Sequence, residues 1–390
     1  MAHPFIQQLL NGQTVEYKPL GEACHMQRGT SLTKAKAIVG EYPVISGGRE
    51  PAFYCNQYNR DGETITVAGS GAGAGYIQYW NKKIFVNDAF SIKGNETLLT
   101  KYVYYYLTNI QNKIYATKKG SGVPHVHISS IENFTIPLPP LFVQERIVAI
   151  LDKFTELEKE LEKELEKRKK QYQYYRDKLL SEEELEKSGF EWKELGEVVT
   201  HLRTGLNPRN NFKLNTPDAS NYYVTVRELS GTTVQFTDKT DKVNDEALKI
   251  INNRSKLKVD DILFSGTGTI GKTALISETP KNWNVKEGVY ILTPNTEIIM
   301  PMFLLRLLQG NDIVNKINSF TMGSTVRSIA MADLKKIKIP IPSLSKQREI
   351  VEILDQFDTL TQSISAGLPK EIELRQKQYE YYRNLLLTFD

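Results

Sequence analysis

IPLPPLFVQERIVAILDKF, residues Ile136–Phe154, returns as IPIPSLSKQREIVEILDQF, residues Ile339–Phe357. Two further stretches return in the same order. VEYKPLGE (Val15–Glu22) is matched by FEWKELGE (Phe190–Glu197), and QYQYYR (Gln171–Arg176) by QYEYYR (Gln378–Arg383). A period of about 200 residues is far longer than the ~20–50 residues of a solenoid unit. The chain is therefore a domain duplication. Between the anchors the halves diverge in sequence and length, as one scaffold carrying two different readers would.

Within each anchor, a Pro-rich stop holds the backbone extended and bars a helix until the prolines end. Apolar residues then recur at steps of three and four, which place them on one helical face. The seam predicted for the first helix is Ile147, Ile150, Phe154, Leu157, Leu161, Leu165, Tyr172, Tyr175 and Leu179. For the second it is Ile350, Ile353, Phe357, Leu360, Ile364, Leu368, Ile372, Tyr379, Tyr382 and Leu386. The first pattern, from Phe142 to Leu180, would span roughly 60 Å at 1.5 Å per residue. A seam of that length implies a coiled coil, and the natural partner of each helix is the other. A tetrad run, TELE-KELE-KELE-K (Thr155–Lys167), fills the middle of the first helix, where the second carries Ala366-Gly367-Leu368-Pro369. Gly stops helices and Pro fits a first turn, so a break near Gly367 is expected.

The divergent parts share an order of elements. A short amphipathic lead-in (Phe5–Leu10, Glu182–Ser188) precedes strands and Gly-rich turns: ETITVAGSGAGAGYIQYW and KKIFVNDAFSIK in the first half, YYVTVREL, TTVQFTD, DDILFSGTG and KTALISE in the second. Alternation and β-branched content mark these as strands. A helical stretch follows in each half, LLTKYVYYYLTNIQNKIYA and PMFLLRLLQGNDIVNKIN, then a basic loop, TKKGSGVPHVHI and FTMGSTVRSI. The helical spacing of YVYYYL and QYQYYR points to packing rather than to stacking on bases.

At 390 residues, with 40% hydrophobic and 25% charged residues, the chain can bury two domain cores. No apolar run reaches the ~20 residues of a membrane span, and the N-terminus has no hydrophobic signal core. Two cysteines, Cys24 and Cys55, with no CxxC pair, read as reduced thiols of a cytoplasmic protein. Residues 1–143 carry 13 Lys+Arg against 9 Asp+Glu, and residues 188–343 carry 20 against 16. The repeated segments 144–187 (11 against 13) and 344–390 (6 against 8) are mildly acidic. The split suits domains that face a polyanion and helices that face protein.

GTGTIGKT (Gly266–Thr273) matches the phosphate-binding loop letter for letter. That loop needs a long helix after it, and TALISETP is β-branched, short and closed by Pro280, so a β-turn is expected. Its counterpart GSGAGAGY (Gly69–Tyr76) has neither the Lys nor the Ser/Thr. His125-Val126-His127 places two imidazoles on one strand face without a third ligand nearby, so no metal is expected. Neither a defensible nucleophile–base spacing nor an amino-methyltransferase motif is present, and the chain is expected not to be an enzyme.

The duplicated IPLPPLFVQERIVAILDKF and IPIPSLSKQREIVEILDQF, the twin QYxYYR ends, the openings YKPLGE and WKELGE, and LFSGTGTIGKTALI resemble the specificity subunit of type I restriction–modification enzymes. The resemblance covers essentially the whole chain. It implies an α+β fold: two globular mixed α/β target-recognition domains, 1–141 and 188–343, separated by two long helices, 142–187 and 344–390. Those helices would form an antiparallel coiled coil with internal pseudo-two-fold symmetry. It implies double-stranded DNA as ligand, each domain reading half of a bipartite asymmetric site, and the helices setting the spacer. It further implies two docked methyltransferase subunits using S-adenosylmethionine, and restriction subunits using ATP and Mg, with no cofactor in this chain.

Base contacts are made by side chains in the major groove and phosphate contacts by Lys and Arg. The candidates are Arg28, Lys34, Lys36, Arg49, Lys118, Lys119, Ser121, His125 and His127 in the first domain. In the second they are Arg203, Arg209, Arg227, Arg254, Lys272, Ser324 and Arg327. Ser121 and Ser324 occupy matching places in the basic loops, which favours those loops. Two rivals remain: a nucleotide-hydrolysing enzyme built on GTGTIGKT, and a coiled-coil adaptor that binds no DNA.

Overall fold

The computed structural model of the chain describes residues 3–209, 211–321, 327–362 and 366–389. The chain divides into two compact units, Met1–Glu164 with Lys370–Asp390, and Leu165–Pro369. The first division falls inside the tetrad run. The structure thus groups each globular part with segments of both helices, rather than with the one helix that follows it.

Unit 1 is built on a four-stranded antiparallel sheet. Its strands are β1 (Cys24–Arg28), β2 (Glu63–Ala68), β3 (Ile77–Asn81) and β4 (Ala89–Gly94), in the order β1-β4-β2-β3. A three-stranded sheet pairs Tyr42–Ile45 with Phe53–Cys55 and, in parallel, with Phe85–Val86. Unit 2 repeats this plan. Its strands β5 (Val199–Thr204), β6 (Ile262–Ser265), β7 (Thr273–Leu275) and β8 (Val289–Pro294) follow the order β5-β8-β6-β7, all antiparallel. Asn221–Val224 pairs with Lys242–Val243 and, in parallel, with Trp283–Val285. The topology is shared although the sequences are not.

Several expected elements are subdivided. KKIFVNDAFSIK is two strands in two sheets, because the chain changes sheet at Asn87-Asp88. TTVQFTD keeps only Thr233–Val234 as strand, and YYVTVREL ends in a 3-10 turn at Val226–Glu228. Both helical stretches break at matching places: Thr100–Asn109 then Gln111–Ala116, and Pro301–Gln309 then Asn311–Ser319. A helix not anticipated from sequence, Asp245–Arg254, is capped by Asn244, whose side chain accepts from Ala247 N.

The repeated motifs are packing devices. The twice-written Pro-rich strands, Thr135–Leu138 and Lys338–Pro342, pair with the openings Glu16–Pro19 and Phe190–Glu194. The repeated glutamines are fully buried. Gln144 accepts from Leu99 N (2.9 Å) and donates to the carbonyls of Thr97 and Pro139 (2.9 and 2.7 Å). Gln347 accepts from Met300 N (2.8 Å) and donates to those of Ile298 and Pro342 (3.0 and 2.9 Å). Each clamps the start of a long helix to its own unit, satisfying backbone groups that burial would otherwise leave costly.

The first long helix, α1 (Leu141–Leu179), is continuous over 39 residues. The second repeat is divided into α2 (Leu344–Gln362) and α3 (Gly367–Leu386). Gly367 has φ +73°, and a Cβ there would stand 2.4 Å from the Thr359 carbonyl oxygen. Only glycine takes this close left-handed return onto the end of α2 without strain. Of the predicted seam, Ile364 lies outside the described residues.

Each unit contains the same aromatic seam. In unit 1, Phe154 of α1 stacks on Tyr382 of α3 (5.3 Å) with Tyr379 at 6.4 Å. In unit 2, Phe357 of α2 stacks on Tyr175 of α1 (5.5 Å) with Tyr172 at 6.4 Å. The Phe of one repeat thus meets the QYxYYR tyrosines of the other, which requires the helices to run antiparallel. Leu157, Leu161, Leu165, Leu179 and Leu360 are half-buried and Leu386 is buried. Ile147 and Ile350 are buried in the globular cores, and Leu151 and Leu354, absent from the predicted seam, are buried beside them.

Candidate nucleic-acid interface

The two glycine-rich segments close matching hairpins: Gly69–Tyr76 joins β2 to β3, and Gly266–Lys272 joins β6 to β7. The phosphate-loop reading is overturned by this geometry. Ser265 N donates to Lys272 O (2.8 Å), Gly271 N donates to Ser265 O (3.0 Å), and an antiparallel strand follows where a nucleotide site needs a helix. Gly266 is required because a Cβ would fall 2.2 Å from the Tyr290 ring.

Against each hairpin lies the basic loop of the same unit, held by the same backbone bonds. In unit 1, Gly71 N donates to Pro124 O (3.0 Å) and Val126 N to Gly69 O (3.0 Å). In unit 2, Gly268 N donates to Arg327 O (2.8 Å) and Ile329 N to Gly266 O (3.0 Å). Isolated bridges Ser70–His125 and Thr267–Ser328 complete the match. Tyr290, whose hydroxyl burial makes harder to ionise, donates to Ile329 O (2.6 Å) and fixes the loop in unit 2.

Beside each junction opens a groove. The unit 1 groove, about 370 Å³, is lined by Arg28, Ser31, Asn87, Asp88, His125 and His127 among others. The unit 2 groove, about 490 Å³, is lined by Asn207, Arg209, Thr225, Thr267, Lys286 and Glu287 among others. Both have one wall at the end of the first sheet strand and another at the sheet-switching segment, 87–88 in unit 1 and 286–288 in unit 2. Their polar linings differ almost completely.

The sequence candidates divide accordingly. Arg28, His125 and His127 are brought together, with the two imidazoles stacked at 5.9 Å. Ser121 stands exposed in the turn that Lys119 and His125 close by exchanging backbone bonds of 3.0 and 2.8 Å. The Lys118 ammonium lies 4.3 Å from the Tyr115 ring centre, and the Arg49 guanidinium 5.1 Å from that of Tyr76. The Arg49 loop touches the glycine hairpin, since a Cβ on Gly47 would meet Ser70 O at 2.1 Å. Lys34 and Lys36 are exposed on the loop that leaves the groove after Leu32, whose N–H donates to Asn87 Oδ1 (2.9 Å).

In unit 2, Arg209 lines the groove and Lys272 is exposed after the hairpin turn. Arg227 pairs with Asp241 (2.7 Å), while its neighbours Thr225 and Val226 line the groove. Arg327 donates to Thr321 Oγ1 (2.7 Å) and Asn318 Oδ1 (3.2 Å). Arg254 is exposed on the helix Asp245–Arg254 and is not among the groove residues. Arg203 is the clear correction. Its guanidinium bonds to Asp261 (2.6 Å), Lys256 O (2.9 Å) and Thr293 Oγ1 (2.8 Å), with the Asp261 side chain wholly buried, so its charge serves the fold. Ser324 lies outside the described residues.

Sequence reasoning missed Ser31, Asn87, Asn207, Lys286 and Glu287. One signal could have found them: His25-Met-Gln-Arg-Gly29 and His201-Leu-Arg-Thr-Gly205 end the first sheet strand of each unit alike. At both glycines the sheet-switching backbone passes close, with Asn87 O 2.1 Å and Val285 O 1.9 Å from an ideal Cβ. Among the described residues no group of His, Cys, Asp and Glu forms a metal cluster, and no helix is long and apolar enough to cross a membrane. Both cysteines are buried and unpaired, and burial pushes the Cys24 thiol up to about 12.

The family model described as "Type I restriction modification DNA specificity domain" matches residues 12–167 and again 187–374. A type I restriction enzyme specificity subunit of Escherichia coli is 32% identical over 414 residues, covering 99% of this chain and 97% of that protein. A putative type I restriction enzyme specificity subunit of Haemophilus influenzae is 34% identical over 403 residues, covering 99% and 98%. The crystal structure of a type I restriction–modification S subunit from M. genitalium aligns with TM-score 0.56 at 19% identity, covering 97% and 98%. That last likeness concerns the fold.

Proposed function

The chain belongs to the type I restriction–modification DNA specificity family, and we propose that its two units read the two halves of a split double-stranded DNA site for a restriction–modification complex. The observation that carries this reading is the matched pair of grooves. The end of the first sheet strand, the glycine hairpin and the sheet switch contribute to both, and different polar side chains line them. Equal scaffolds with unequal linings suit an asymmetric bipartite site, whose spacing mirrors protein geometry.

On this reading residues 1–141 and 188–343 are the target-recognition domains, and 142–187 and 344–390 are the spacing helices. The two matches of one family model support a two-domain division. The chain contributes recognition rather than catalysis. Two methyltransferase subunits would dock on the outer helix faces and bring S-adenosylmethionine; restriction subunits would bring ATP and Mg.

The test is an exchange of residues 1–141 for the corresponding domain of another family member, followed by methylation mapping of the assembled complex. One half-site should change and the other persist. A simultaneous change of both half-sites would overturn the two-reader proposal.

A further inference from the structure

The segments where the chain changes sheet, Asn87-Asp88 in unit 1 and Lys286-Glu287-Gly288 in unit 2, line the two grooves, and the unit 2 segment is one residue longer. Each carries one acid, and the two acids differ in whether a neighbour already holds them. Asn87 spends its amide on Ser46 Oγ (3.0 Å) and on Leu32 N (2.9 Å), and the Asp88 carboxylate is held by the Ser70 hydroxyl. The charged side chain left to face a ligand in that groove is Arg28, exposed, with no hydrogen bond or ion pair from its guanidinium among the described residues. In unit 2 the exposed Glu287 carboxylate has no hydrogen bond or ion pair among the described residues; it is the one acid lining a groove whose cations, Arg209 and Lys286, are also exposed and suit phosphate. The arginine on the first strand of that unit, Arg203, is already consumed by Asp261.

A carboxylate in a groove that faces a polyanion repels every phosphate near it. It favours binding only where it meets a donor, and among major-groove edges the cytosine amino group is its fitting partner. An unpaired guanidinium in the same situation fits the two acceptors of guanine, O6 and N7. We propose that Arg28 and Glu287 are specificity-determining residues of opposite polarity, Arg28 selecting a guanine in the half-site of unit 1 and Glu287 a cytosine in the half-site of unit 2. The assignment rests on the reading of both units as DNA readers.

The test uses the purified complex of the full chain with its methyltransferase subunits, selecting from a pool of randomised duplexes. The wild-type consensus should contain a G·C pair in each half. Arg28→Ala should make one such pair degenerate, with a roughly ten- to hundredfold loss of discrimination at that position. The unchanged other half-site reports that the variant is folded. Glu287→Gln should admit adenine where cytosine stood, because an amide pairs with adenine N6 and N7. Equal weakening on all duplexes with an unchanged consensus would make these phosphate or surface residues and overturn the proposal. A half-site without any G·C pair would also overturn it. A wild-type complex that enriches no consensus would instead refute the DNA-reading proposal beneath it.

Discussion

Unit 1 and unit 2 place a carboxylate at the same point of their long helices and satisfy it in different ways. Asp152 of α1 receives the Lys101 ammonium (2.7 Å) and the Tyr105 hydroxyl, in surroundings open to water. Asp355 of α2 receives Arg306 (2.8 Å), a guanidinium only 1% exposed that also binds Asp358 and donates to the Tyr172 hydroxyl (2.9 Å). Burial raises the Asp358 carboxyl above its usual range even with that guanidinium beside it. The duplicated scaffold therefore preserves a geometry rather than a set of partners. The acid stays, and whichever base or hydroxyl the local core can accommodate completes it.

That comparison breaks most sharply at Arg306. Arg306→Ala strands the largely buried Asp358 carboxylate and leaves the half-exposed Asp355 unpaired, and should cost about 3 kcal/mol, whereas Lys101→Ala, at a half-exposed pair, should cost about 1 kcal/mol or less. Urea unfolding with hydrogen exchange resolved to each unit measures both. Similar losses would show that the two anchors are energetically alike despite their difference in burial.

The glutamine clamps sharpen the opposite side of the comparison, where the units agree. Gln144→Ala and Gln347→Ala each leave one buried N–H and two carbonyls without their partner, at an expected cost of roughly 2–3 kcal/mol. The two losses should agree within about 0.5 kcal/mol. A clear inequality would mean that water replaces one clamp and not the other.

The smallest effect on stability belongs to the tetrad run. Deleting Lys159–Glu162 removes close to one helical turn, about 6 Å and roughly 40° of rotation, and leaves the half-buried leucine stripe nearly in phase. If the helices space two DNA readers, the preferred spacer should shorten by about one or two base pairs at ~3.4 Å each, with the half-site sequences unchanged. Methylation mapping decides it. An active complex that keeps its original spacer would reduce the run to a charged helix surface.

The repeats were legible because their residues answer to local or regularly spaced demands. The prolines, the three-and-four periodicity and the glycine at 367 each constrain the backbone wherever they occur. The matching basic loops were legible for the same reason, and so was the mismatch between GTGTIGKT and a following helix. The groove was not. Arg28, Asp88 and His125 are far apart in sequence and meet only through β1–β4 pairing and the bonds from the hairpin to the loop. Arg203 looked like Arg28 from sequence, because nothing local announces that Asp261 waits beside it.

Local pattern alone established that the protein is a duplication, where its two repeated long helices lie, and that its two globular parts would differ. Periodicity and backbone restriction are properties of neighbouring residues, so they survive without coordinates. The tertiary structure decided which charges are spent inside the fold and which remain to face a ligand. It also decided that each compact unit takes segments of both long helices. Those outcomes depend on burial and on long-range pairing: a charge stays available only if no distant partner has already satisfied it, and distance along the chain does not reveal that partner.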